Sequence, residues 1–203
     1  MSNPLLEQTG LPAFSRITPE HVEPAIDNLL AANRQRIAQL LTTVEDPDWS
    51  SLVEPIEEWD EQLNRAWSPV SHLNAVVNSD ALRAAYNACL PKLSDYATEM
   101  GHNEKLFAAY KSVAAQPGQL DEAQRKVLDN ALRDFHLSGV DLEPAAKARF
   151  KQISQELSQL TSRFSDNVLD ATNAWSKCLA DTQGLAGMPQ SALDLARQTA
   201  EQR

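Results

Sequence analysis

From Pro144 onward, Ala146, Phe150, Ile153, Leu157, Leu160, Phe164, Val168, Ala171 and Trp175 recur at a mean spacing of about 3.6 residues, the period of a straight α-helix. Proline suits the first position of such a helix, where the amide hydrogen it lacks would find no intrahelical acceptor. A periodic run of more than about 25 residues belongs to a coiled coil, a membrane helix or a long bundle helix. Gln152, Gln155, Glu156, Gln159 and Arg163 make the opposite face polar. The bundle helix fits best.

The remaining segments repeat this pattern with readable starts and stops. Thr18-Pro19 reads as an N-cap with proline behind it, opening a helix whose apolar side is Val22, Ala25, Ile26, Leu29, Leu30, Ile37, Leu40 and Leu41. Asp46-Pro47-Asp48 ends it as a turn. From about Ser50, the positions Leu52, Ile56, Trp59, Leu63, Ala66, Val70, Leu73 and Val77 run straight through Pro69, which predicts a kinked helix or two abutting ones. Ser79 can cap a helix carrying Leu82, Tyr86, Cys89, Leu93 and Tyr96, with Pro91 bending it and Gly101 interrupting it. Leu106, Phe107, Tyr110 and Val113 mark a shorter helix, and Pro117-Gly118 a loop. Asp121 with Gln124 resembles a capping box, opening a helix with Val127, Leu128, Ala131, Leu132 and Phe135 inward and Gly139 as its stop. After a short loop over 184–188, Pro189 starts a last helix with no capping glycine, the mark of a frayed tail or of a longer protein.

The expected class is therefore all-α, a long-helix bundle. Residues 1–17 are expected to be extended, 18–180 to form the bundle, and 181–203 a loop and the start of a further helix. No self-similarity of 20–50 residues indicates a solenoid.

A formal charge of −10 over 203 residues repels the phosphate backbone and anionic membrane surfaces, which argues against nucleic-acid and membrane partners. The N-terminus has neither a basic stretch nor an apolar one, and no segment reaches the length of a membrane span, so the default location is cytoplasmic. Cys89 and Cys178 stand far apart and are expected to be reduced, small apolar side chains.

Candidates for chemistry are few. The histidines are His21, His72, His102 and His136, and no pair has the spacing that puts two imidazoles and a glutamate on one face for zinc. His21/Glu23 and His102/Glu104 come nearest, but residues two apart on a helix point about 200° apart. No Gly-x-Ser-x-Gly elbow and no phosphate-binding glycine loop occurs. Cys89 on an apolar stripe should be inert. Glu54, Glu57, Glu58, Asp60 and Glu61 read as a solvated face rather than a cation site. Trp49, Trp59, Trp67 and Trp175 read as core packing rather than a ligand cage.

Several stretches nevertheless occur together in order: 3–6, Leu11-Pro12-Ala13-Phe14 through Pro24-Ala25, Ser68-Pro69-Val70-Ser71-His72-Leu73-Asn74, Asp129-Asn130-Ala131-Leu132-Arg133-Asp134-Phe135, 164–172, and Ala186-Gly187-Met188-Pro189. Together they resemble the N-terminal region of the thimet oligopeptidase family of zinc metallopeptidases. The resemblance implies a clam of two mostly helical halves around a deep channel, with zinc held by His-Glu-x-x-His and a further glutamate beyond this sequence. On that reading the chain is the N-terminal channel wall of a zinc metalloendopeptidase of short unfolded peptides. Its partners are those peptides and the catalytic half. It holds no catalytic, cofactor-binding or metal residue, binds no zinc itself and is inactive alone. Apolar helix faces left bare without the other half imply partial self-association. The alternative is a free-standing helical interaction or scaffold protein without catalysis.

Overall fold

The computed structural model describes residues 3–7, 9–116 and 120–202. Among these the chain forms seven α-helices and no strand: α1 (Pro19–Thr43), α2 (Glu54–Val76), α3 (Asp80–Gly101), α4 (Glu104–Ala114), α5 (Glu122–Leu137), α6 (Pro144–Ala174) and α7 (Gln190–Glu201). The all-α class expected from periodicity is the one observed. The predicted loop at Pro117-Gly118 lies outside the described residues. Within the segment expected to be extended, the chain turns at 4–6 and winds into a 3-10 turn at Phe14–Arg16.

Local chemistry sets the helix ends. Thr18 precedes Pro19 as expected, and the His21 ring accepts the Thr18 backbone N–H at 3.2 Å. The Ser79 hydroxyl accepts the Leu82 N–H at 3.3 Å. Asp121 and Gln124 exchange reciprocal bonds of 2.8 and 2.9 Å, a complete capping box. At the end of α5, Gly139 adopts φ +90°, and the Val140 and Gly139 amides donate to the Phe135 and His136 carbonyls at 3.1 and 3.0 Å, a Schellman ending. Before α2, the Asp48 side chain caps a π-type turn at Trp49–Val53. The helix α2 then runs unbroken through Pro69, so the two-helix alternative does not occur. Val77, expected on its stripe, is instead the exposed residue after its last turn.

The chain divides into two compact units, Met1–Ser162 and Arg163–Arg203. In the first, α1 packs along α2 and α3, and α4 along α5. Two apolar clusters result. One joins Val22, Ile26 and Leu30 of α1 to Val70 of α2 and Cys89 of α3. The other joins Ile37 of α1 to Ile56, Tyr110, Val113 and Leu128. Met100 packs against both.

Within this unit α6 turns its polar side to the bundle. The Gln155 amide donates to Asp95 at 3.0 Å, Ser162 donates to Asn87 at 2.6 Å, and Lys147 and Lys151 pair with Glu104 and Asp95 at 2.5 and 2.6 Å. Ser154 and Ser158 are half-buried. Beyond Phe150 the apolar stripe faces away: Ile153, Leu157 and Leu160 are 41%, 58% and 55% exposed. In the second unit no described residue is buried. Trp175 there is 73% exposed, which overturns its reading as core; Trp49, Trp59 and Trp67 are half-buried, as core edges would be. Among the described residues no helix is long and apolar enough to cross a membrane.

Candidate functional site

The sequence-singled residues scatter across the first unit. His21 serves the α1 cap and Glu23 pairs with Lys92 at 3.3 Å. The His102 ring meets Phe150 edge-on with centroids 5.4 Å apart, and its Nε2 is buried without a partner. Burial holds this imidazole below its ordinary value. His72 lies beside Phe14, and His136 pairs with Asp141. No three His, Cys, Asp or Glu among the described residues come together as a metal-ligand group. Cys89 is fully buried, and burial pushes its thiol up to about 11, so almost no nucleophilic thiolate forms near neutral pH. Cys178 is free and exposed, contrary to its expected burial; it lies in the second unit, which has no core to enter.

The acidic run of α2 divides by direction around the helix. Glu54 accepts the Trp49 indole N–H at 2.9 Å, and Glu61 accepts from Arg65 at 2.8 Å. Asp60 points elsewhere. It lies four residues after Ile56 and three before Leu63, so it borders the buried stripe. The Tyr96 hydroxyl donates to its Oδ1 at 3.4 Å.

Asp60 borders a cavity of about 240 Å³ on which α1 to α5 converge, at the junction of the two apolar clusters. Its side chain still reaches solvent, but burial of the carboxyl, aided by the charge of Glu57, pushes it up to about 6. Burial and the Asp60 charge push Tyr96 up to about 12, and burial with Glu57 and Asp60 holds Tyr110 higher still. Sequence reasoning placed both tyrosines on apolar stripes and Asp60 on a solvated face. The available signals were a hydroxyl at a core position and a carboxylate beside an apolar stripe.

The raised Asp60 value has a testable sign. A carboxyl at about 6 folded, against 3.8 ordinarily, binds its proton more tightly in the native state. Its stabilising share is complete below the ordinary value and is lost as pH rises through the folded one. Asp60→Asn should therefore gain thermal stability relative to wild type above about pH 6 and lose that advantage near pH 4. Parallel melting curves of the two proteins across this range would contradict it.

A profile of the neurolysin and thimet oligopeptidase N-terminal domain matches residues 26–147. The chain belongs to the thimet oligopeptidase family. The matched region of this family member runs from the third turn of α1 into the first turn of α6 and takes in the second apolar cluster, most of the first and the cavity. The chain is 46% identical to oligopeptidase A of Haemophilus influenzae, the match covering 100% of this chain and 30% of the relative. It is 35% identical to a probable cytosolic oligopeptidase A of Arabidopsis thaliana, over 98% of this chain and 28% of that protein. The dipeptidyl carboxypeptidase of Escherichia coli is 28% identical over 99% of the chain and 30% of its own length. The chain thus spans less than a third of these thimet oligopeptidase relatives.

Proposed function

We propose that this chain is the N-terminal channel-wall region of an oligopeptidase A-like zinc metalloendopeptidase, acting on short unfolded peptides in the cytoplasm and inactive by itself. The observation that carries the proposal is a match covering the whole chain and only 30% of an oligopeptidase A. The outward stripe of α6 supports it, because monomeric proteins rarely leave a contiguous apolar face without a partner surface. We take that partner to be the catalytic remainder of the protein. In domain terms, 18–180 serve as the wall and 181–203 lead toward that remainder.

The described side chains do not fit a zinc site: His21 is engaged at a helix cap, His102 faces Phe150, and His136 is paired with Asp141. On this reading the metal belongs to the remainder and supplies the activated water for amide hydrolysis. The present residues contribute shape. A rigid helical wall narrows the channel so that a folded protein would have to unfold, against about 5–15 kcal/mol, to enter.

Hydrolysis of a fluorogenic peptide decides the matter. The expected result is no turnover by the 203-residue chain with or without zinc, and chelator-sensitive turnover by the longer protein read through to the stop codon. Chelator-sensitive turnover by the short chain would overturn the division of labour. A stop codon directly after residue 203 would favour the scaffold alternative.

A further inference from the structure

The cavity between α1 and α5 is not needed for a channel wall, yet its chemistry is selective. Its lining includes Glu57, Asp60 and Asp134 and no Lys, Arg or His. Tyr110 is 4% exposed and lines it, and no described residue hydrogen-bonds its hydroxyl. That oxygen is not one of the buried atoms left without a partner; it meets the open space of the cavity, where a ligand can reach it. The remaining wall is apolar, with Ile56, Met100, Leu106 and Phe135.

We propose that this cavity binds a small organic cation, a primary ammonium carried on a short apolar or aromatic body. Glu57 and Asp60 supply the negative charge, Tyr110 offers a hydrogen bond, and Phe135 and Leu106 face the apolar part. A bare metal ion fits poorly, because no three acidic, histidine or cysteine side chains converge among the described residues and hard cations require six or more oxygens. The charged neighbours are already engaged. Asp134 pairs with Arg133 at 2.9 Å. Arg34 pairs with Glu99 at 2.7 Å and lies 5.4 Å from the Tyr96 ring centroid. Among the described residues, the titratable groups that α3 and α4 bring to the lining are Tyr96 and Tyr110, both neutral at physiological pH.

The test is calorimetry with phenethylammonium on the 203-residue chain, paired with amide chemical-shift mapping. Saturable binding is expected, with shifts confined to residues 56–60, 96–101, 106–110 and 131–138. Asp60→Asn should weaken it about tenfold and the isosteric Tyr110→Phe about fivefold. Wild-type affinity should fall as the solution is acidified through pH 6, and the Asp60→Asn affinity should not. Phenethyl alcohol should not bind. Absence of saturation, shifts spread over the acidic surface, equal affinity in all three proteins, or equal binding of the alcohol would each overturn the proposal.

Discussion

Leu128→Ala is expected to lower the unfolding free energy by about 2–5 kcal/mol, the range for truncating a buried leucine. Leu128 is 1% exposed in the cluster where α5 meets α4 and the start of α2. The substitution removes apolar contact and leaves a cavity that rigid helices fill only in part. The same change at Leu157 of α6, which is 58% exposed, is expected to stay within about 0.5 kcal/mol. Urea denaturation at low protein concentration, read through the midpoint at constant slope, separates the two. A large loss at Leu157 would mean that the outward stripe of α6 is covered in solution. The expected partial self-association is the source to check then, by light scattering at rising concentration.

A second large effect is expected at Gly101. A Cβ there would stand 2.5 Å from the Ser138 Cβ and 3.0 Å from its Oγ, at the point where the end of α3 touches the end of α5. Alanine favours a helix over glycine by about 1 kcal/mol, but overpacking of this kind costs about 1–3 kcal/mol. Because the atom in the way is a Cβ fixed to the backbone, it cannot rotate aside. We therefore expect Gly101→Ala to be destabilising in spite of its better propensity. Ser138→Gly in the same chain should recover most of the loss, and a double-mutant cycle in urea measures the coupling. Additive losses would show that the two positions do not collide.

Most of the fold was legible because its punctuation is local. Thr18-Pro19, Ser79, Asp121 with Gln124, Pro144 and Gly139 act on groups within a few residues of themselves, and one sequence contains everything needed to read them. Periodicity likewise showed which residues of α6 share a face. It carries no information on what that face meets, and so Trp175 was assigned to a core it does not enter. The unbroken passage of α2 through Pro69 was equally open, since the neighbouring helices decide whether a proline ends a helix or is carried along. The cavity was the least readable element. Asp60, Tyr96, Tyr110 and Asp134 come from four helices, and nothing near any of them in sequence announces the other three. Cys89 was read correctly for the opposite reason: its own apolar stripe already specified burial.

The helix α1 takes part in both apolar clusters, through Val22 to Leu30 in one and Ile37 in the other. Cooperativity follows from that shared member. Melting either cluster deprives α1 of part of its tertiary support, and helices in proteins owe most of their stability to such packing. The clusters consequently stand or fall together, and the first unit, whose core they make, is expected to unfold as one cooperative body.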